Sequence, residues 1–386
     1  MISITKLLTD ESNFGDSLRY NRSAAYAKDG VSADAGPVVV WNCTKTCNLK
    51  CVHCYAQADM KRRENEMTHE AALRFIDSLA DFKVPVLLFS GGEPLMREGF
   101  FELAGYASKR GVRPTISTNG TLITKDTALR LKDMGIGYVG ISLDGMGAVN
   151  DKFRGLKGAF AMALTGIRNC VAAGQRVGLR FTITKDNAGE IPAIFDLAES
   201  ENVDRICFYH LVYSGRASAE NDVSHGESRR VLDLIAERTL DLQRLGRKKE
   251  ILTVDNHADG VYLYLQALKK GDSRAERILR LISSNGGNRS GMAFGAVDSF
   301  GNVHPDQFTQ SVTFGNVNES SFGEIWTNPH NELLQALKER KKYLKGRCAA
   351  CRWLDLCNGN FRARAAALGD LWQSDPACYL SDEEIK

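Results

Sequence analysis

Cys47, Cys51 and Cys54 form a C-x3-C-x2-C triplet directly after the apolar run Val38-Val39-Val40-Trp41. Three thiolates can ligate three irons of a 4Fe-4S cube and leave the fourth iron without a protein ligand, open to bind and reduce a substrate. The plainer alternative is three buried thiols or half of a zinc site. A second group, Cys348-x2-Cys351-x5-Cys357, is completed by Cys378 after twenty more residues. Four thiolates can close a full site, either an all-cysteine 4Fe-4S cluster or a structural zinc tetrathiolate, and spacing alone does not separate the two. Cys43 reads as strand-end packing, and Cys170 and Cys207 read as core.

Outside the cysteines, Ser90-Gly91-Gly92-Glu93-Pro94 combines two glycines, which let backbone approach a ligand, with a carboxylate that accepts from an ammonium group. Ser117-Thr118-Asn119-Gly120 and Ser142-Leu143-Asp144-Gly145 offer hydroxyls and amides, and Arg180 offers a guanidinium for a carboxylate. His210-x2-Tyr213-Ser214-Gly215-Arg216 and Asp255-Asn256-His257-x-Asp259 supply the candidate catalytic groups His210, Tyr213 and His257. Each has a plainer reading. Polar residues after a strand are ordinary turn chemistry, and a lone histidine is more often a satisfied structural hydrogen-bonder than an acid or ligand. Arg216, Arg289, Arg362 and Arg364 suit substrate carboxylates, with a solvated face as the ordinary fate of each.

These groups need a scaffold that brings strand ends together. From residue 37, short β-rich runs at 37–42, 84–90, 113–117, 137–143, 177–184 and 204–211 alternate with amphipathic stretches, the pattern of parallel βα units. Thr68 predicts an N-cap for a helix that places Ala72, Phe75, Ile76 and Leu79 on one face. Similar patterns occupy about 97–110, 124–134, 158–173 and 190–200. Six such units, without a seventh and eighth, predict an α/β fold built on an open (β/α)6 partial TIM barrel, with function at the C-terminal ends of the strands. Residues 1–36 read as an irregular N-terminal segment, 37–223 as the barrel, 224–290 as a helical bridge without strands, and 291–386 as a small cysteine-rich domain. In that last part a hairpin is predicted over 297–303 and a helix near 321–340.

The bulk numbers bound the partners. Fifty basic and 47 acidic residues are mixed along 386 positions for a net charge of +3, with no basic block to track a phosphate backbone, so nucleic acid is not expected. The first residues carry no apolar targeting core and no apolar stretch reaches spanning length, so a cytoplasmic protein with no membrane partner is expected. Ten cysteines in such a chain argue for metal ligation or redox chemistry over disulfides.

With the triplet after the first strand and the glycine and polar motifs after later ones, residues 37 to about 215 resemble a radical S-adenosylmethionine enzyme, as does the C-terminus. The resemblance implies that the open iron chelates the amino and carboxylate groups of S-adenosylmethionine. Electron transfer then yields methionine and a 5′-deoxyadenosyl radical that takes hydrogen from substrate. It assigns Gly91, Gly92 and Glu93 to the methionine amino group and puts His53 and Tyr55 beside the cluster and adenine. Asn119, Ser142 and Arg180 fall to the ribose and carboxylate. The second cysteine group is similar to the auxiliary-cluster half of a SPASM extension, which implies a second 4Fe-4S cluster on Cys348, Cys351, Cys357 and Cys378. Asp306 stands where a further cysteine is usual, so one auxiliary cluster is the expected count, with space for a bulky substrate.

The entry Pro37-Val38-Val39-Val40-Trp41-Asn42, the run from Tyr138 to Gly145, Asn285-Gly286-Gly287-Asn288, His304-Pro305-Asp306 and the closing Asp375-Pro376-Ala377-Cys378 resemble the tetrapyrrole-modifying radical enzymes. Two families share that layout and act on 12,18-didecarboxysirohaem. One removes two acetate side chains to give iron-coproporphyrin III, and the other removes two propionates for haem d1. The stretches 4–8, 17–20 and 255–259 resemble the first more closely. The expected partners are therefore a tetrapyrrole substrate and an electron donor such as ferredoxin or flavodoxin. A peptide-modifying SPASM enzyme is the alternative, opposed by the single auxiliary cluster and by too few N-terminal residues for a peptide-recognition domain. A non-catalytic cluster or zinc assembly protein would leave the adenosylmethionine motifs idle.

Overall fold

Apolar runs too short for helices, each closed by a polar turn, become strands in this chain, and the computed structural model describes residues 1–20 and 36–386. Among the described residues the strands are β1 (Ile2–Ser3), β2 (Val38–Thr44), β3 (Val86–Gly91), β4 (Arg113–Thr118), β5 (Val139–Ser142), β6 (Val177–Ile183), β7 (Arg205–His210), β8 (Glu250–Val254), β9 (Phe294–Val297), β10 (Asn302–His304) and β11 (Gly315–Asn316). They form one sheet in the order β1-β8-β7-β6-β5-β4-β3-β2-β9-β10-β11. Each neighbouring pair from β2 to β8 is parallel, which requires a crossover, and amphipathic helices such as His69–Asp81 and Ala159–Ala172 make these crossovers. Thr68 caps the first of them, its side chain accepting from the Ala71 amide at 3.2 Å, and Phe75, Ile76 and Leu79 are buried against the sheet. Trp41 on β2 anchors this core, 5.4 Å from Phe75 and 5.5 Å from Phe89 between ring centroids.

The open α/β barrel agrees with expectation, and its extent does not. The stretch 224–290 contains β8, a seventh parallel strand beside β7. Ile251-Leu252-Thr253-Val254 is a brief apolar run in a charged neighbourhood. Its first residue, Glu250, is buried and paired with Arg19, Arg176 and Arg205, contacts that no local pattern reveals. On the other side of the sheet β9 lies parallel to β2, so with β1 the sheet crosses all three expected domain boundaries. The N-terminal segment is also not irregular where it is described. β1 pairs antiparallel with β8, and the helix Ile4–Leu8 buries Ile4 and Leu7 completely. Its elements are too short to show periodicity, and the remainder of that expectation, 21–35, lies outside the described residues.

In the C-terminal part the expected hairpin pairs Val297 with Val303, and the Asp298 carboxylate accepts from the amides of Phe300 and Asn302 at 2.9 Å each. The helix expected near 321–340 is instead two, Phe322–Thr327 and Glu332–Lys338. Pro329 in the break has no amide to continue the first. Arg364, on the helix Arg362–Ala367, fastens this part to the barrel by donating to the carbonyls of Leu211 and Asp255 just beyond β7 and β8. Among the described residues no helix is long and apolar enough to cross a membrane.

Candidate active site

Beyond β2 the chain folds back on itself, the Cys47 amide donating to the Asp59 carbonyl at 2.7 Å, and this loop carries the three cysteines. Cys47 is buried while Cys51 and Cys54 are half-buried. The Cys47 sulfur accepts from the Leu49 amide at 3.4 Å, and the Cys51 sulfur from Arg154 Nη1 at 3.7 Å. Burial pushes the Cys47 thiol up to about 12, so a metal centre must displace its proton to make the thiolate. Arg216, which the sequence suggested for substrate or solvent, does neither. Its Nε donates to the Cys51 carbonyl at 2.7 Å and its Nη1 to the Ala58 carbonyl at 3.2 Å, bracing the loop from the segment after β7.

The Gly91-Gly92-Glu93 turn after β3 is stitched to the same loop. The Gly92 amide donates to the Thr44 carbonyl at 2.6 Å and the Glu93 amide to the Thr46 carbonyl at 2.8 Å. A Cβ on Gly91 would stand 2.5 Å from the Thr44 carbonyl oxygen, and one on Gly92 only 2.3 Å from that of Thr46. Both obstacles are backbone, so neither can swing aside. Gly92→Ala is therefore expected to displace the turn from the cysteine loop and weaken S-adenosylmethionine binding by at least tenfold, measured by equilibrium dialysis on reconstituted protein; unchanged affinity would contradict this packing.

Glu93 itself does not line the cavity, contrary to the expectation that it meets an ammonium group. It is fully buried behind the wall, where its carboxylate accepts from the Leu95 amide at 3.1 Å, the Thr118 hydroxyl at 2.7 Å and the Asn119 amide at 2.8 Å. Burial pushes its carboxyl up to about 6 against those three donors. The turn that begins at Pro94 aims the side chain inward, so it sets the end of β4 and leaves the cavity wall to Gly91 and Gly92.

That cavity opens at the C-terminal ends of the parallel strands. The three cysteines line it, and no fourth thiol does among the described residues, a donor set that fits a cluster with one open iron. Tyr55, Asn119, Ser142 and Arg180 also line it. The Tyr55 hydroxyl bonds Asn42 Oδ1 at 2.9 Å and its ring packs against Phe308, while Asn119 Nδ2 reaches Cys47 Sγ at 3.9 Å. The Arg180 guanidinium lies 4.4 Å over the Tyr209 ring, with no ion pair among the described residues.

The roles of two groups beside the cysteines escaped the sequence reading. Asp144, wholly buried at the end of β5, contacts both His53, at 3.2 Å, and Arg154, the residue that reaches Cys51. Burial opposes its ionisation, yet Arg154 and His53 outweigh it and hold the carboxyl down at about 2. This fixed charge orients the guanidinium toward the thiol. Arg154 is about a hundred residues from Cys51, and only the fold joins them.

The three catalytic candidates separate. His210 lines the cavity, its Nε2 3.0 Å from Asp259 Oδ2, while Asp259 Oδ1 accepts from the Tyr379 hydroxyl at 2.6 Å. Burial disfavours the imidazolium, but Asp259 outweighs burial and raises the histidine above its usual value. Tyr213 instead donates to Asp222 at 2.7 Å and faces a neighbouring pocket. His257 is buried outside the cavity, its Nε2 3.0 Å from the Met1 amine, and burial pushes it well below the usual histidine value. The reason is local. Asp255 takes a left-handed backbone turn, φ 67°, after β8, so that Asp255 lines the cavity while His257 faces the N-terminal strand.

Cys348, Cys351, Cys357 and Cys378 all line one largely apolar cavity. Burial pushes the Cys357 and Cys378 thiols up to about 12, which again demands a metal to ionise them. Four thiols around one apolar space fit an all-cysteine cluster. Asp306, in the position where a further cysteine is usual, accepts from the amides of Phe308 and Thr309 at 2.9 Å each and so shapes a turn.

Comparison with known proteins agrees with this geometry. Residues 41–198 match the radical SAM superfamily and residues 292–352 the SPASM iron-sulfur cluster-binding domain. The whole chain is 54% identical to 99% of the Fe-coproporphyrin III synthase of Methanosarcina barkeri. Over 90% of its length it is 42% identical to the pre-heme d1 synthase of Dinoroseobacter shibae, covering 87% of that protein. Its fold is that of Streptococcus suis SuiB, solved with S-adenosylmethionine, at TM-score 0.72 and 17% identity over 92% of this chain and 80% of that one. It is also that of anSMEcpe with bound AdoMet, at TM-score 0.69 and 19% identity over 91% and 95%. The chain therefore belongs to the radical SAM superfamily, an enzyme that uses S-adenosylmethionine and a 4Fe-4S cluster and carries a SPASM domain with an auxiliary iron-sulfur cluster.

Proposed function

We propose that this chain removes two acetate side chains from 12,18-didecarboxysirohaem to give iron-coproporphyrin III. The observation that carries this is the 54% identity with an Fe-coproporphyrin III synthase along the entire chain. The likeness to a pre-heme d1 synthase is lower, 42%, and shorter, which favours acetate over propionate removal.

Cys47, Cys51 and Cys54 hold the first cluster, and Cys348, Cys351, Cys357 and Cys378 hold the second. Once bound, the cluster and S-adenosylmethionine supply the one-electron chemistry that starts side-chain loss. The residues of the chain do the rest. Gly91 and Gly92 present close-packed backbone, Tyr55, Asn119 and Ser142 offer polar groups, and Arg180 carries an available guanidinium, together orienting the cofactor. Arg154, held by Asp144, sets a positive charge against Cys51. His210, whose imidazolium Asp259 favours against burial, stands in the wall as a proton donor to substrate. Electrons come from a ferredoxin or flavodoxin in the cytoplasm.

The substrate class is tested by the yield of 5′-deoxyadenosine from the reconstituted, reduced protein. Adding 12,18-didecarboxysirohaem is expected to raise it at least severalfold, whereas a yield indifferent to the tetrapyrrole would remove the basis of the proposal.

A further inference from the structure

Asp255 stands out among the groups that the mechanism leaves unused. It lines the main cavity just beyond β8, only 7% exposed, and its Oδ2 has no hydrogen-bond partner among the described residues. Its left-handed backbone, φ 67°, is uncommon for a residue with a side chain and is held by Arg364, which donates to the Asp255 carbonyl at 2.6 Å. Without that turn the chain would not face this carboxyl into the cavity and His257 away from it.

A buried carboxyl is an odd lining for a cavity that, on the reading above, receives a tetrapyrrole bearing acetate and propionate groups. Two carboxylates in contact cannot both stay ionised, and sharing one proton relieves them. The charged groups acting on Asp255 are mixed. The Met1 amine, Arg364 and Arg180 favour its ionised form, Asp306 favours the neutral one, and burial outweighs them to push the carboxyl up to about 6. Only a small further push from a bound anion is needed to protonate it near neutral pH.

We propose that Asp255 contacts a carboxylate of the substrate, donating to it a hydrogen bond through a proton taken up as the substrate binds. This rests on the tetrapyrrole reading. It makes Asp255 a binding residue that matches acidic side chains without a fixed positive charge, and it links affinity to pH. Above about pH 6 each further unit is expected to weaken binding by up to about tenfold, because one proton accompanies the ligand.

The test is titration of the reconstituted holoenzyme with 12,18-didecarboxysirohaem between pH 6 and 8.5, followed by absorbance without reductant. Asp255→Asn keeps a donor and tolerates the left-handed backbone, and Asp255→Gly removes the side chain at a φ that glycine accepts. The wild type is expected to lose affinity as pH rises, Asp255→Asn to lose that dependence and bind up to about a hundredfold tighter than wild type near pH 8, and Asp255→Gly to bind weakly throughout. The same pH slope in wild type and Asp255→Asn would overturn the proposal, as would Asp255→Asn binding no better than Asp255→Gly at every pH. Absence of tetrapyrrole binding by the wild type at any pH would overturn the tetrapyrrole reading and this proposal together.

Discussion

Cys47→Ala is expected to abolish 5′-deoxyadenosine formation and to lower the iron content of reconstituted protein from about eight atoms per chain to about four. Cys47 is the most deeply set thiol of its group, and what surrounds its sulfur is the Leu49 amide and the Asn119 side chain, neither of which can ligate iron in its place. Cys43, four residues earlier, is fully buried in the main core, so it cannot substitute. Two irons of a cube would then rest on protein thiolates, and the site where S-adenosylmethionine binds would be lost. Cys378→Ala should lose a similar share of iron from the other cavity. Iron and sulfide analysis beside chromatography of the nucleoside checks both, and full iron retention by Cys47→Ala would sink the assignment of the first cluster.

Arg364→Met is expected to destabilise the protein by about 3–5 kcal/mol. Arg364 and Asp375 are both essentially excluded from solvent and joined by two bonds of 2.8 Å. Removing the guanidinium leaves the carboxylate buried with only the amides of Phe361 and Ala377 as donors, and it frees the carbonyls of Leu211 and Asp255. Burial alone would raise the Asp375 pKa, but Arg364 outweighs it and lowers it. With its folded pKa below the unfolded value, this pair contributes stability above the ordinary carboxylate range, near pH 4, and loses it as pH falls through the folded pKa. Arg364→Met should therefore lower Tm at neutral pH, and pairing it with Asp375→Leu should recover part of the loss. Equal melting of wild type and Arg364→Met would contradict the strut between the SPASM part and the barrel.

Local signals carried most of the barrel. Strands such as Val177–Ile183 and helices such as His69–Asp81 show their period within a few residues, and the cysteine groups are short-range spacings. What lay hidden depends on distant partners. Glu250 opens β8 among three arginines from other elements, so the strand looks like part of a charged helical stretch. Arg154 and Arg216 resemble solvated charges until the fold brings them to Cys51. Polar residues after strands pointed to the right end of the barrel and not to side-chain direction. Tyr213 turned to Asp222, Glu93 turned behind the wall, and one left-handed residue exchanged His257 for Asp255 at the cavity.

The measurement that bears most directly on the central claim is mass spectrometry of the tetrapyrrole after anaerobic incubation of the reconstituted, reduced protein with S-adenosylmethionine and 12,18-didecarboxysirohaem. Loss of two acetate groups, with iron-coproporphyrin III as product, is the predicted result. Loss of two propionates would contradict it and move the protein to haem d1 synthesis, and an unchanged tetrapyrrole beside accumulating 5′-deoxyadenosine would show the substrate to be wrong.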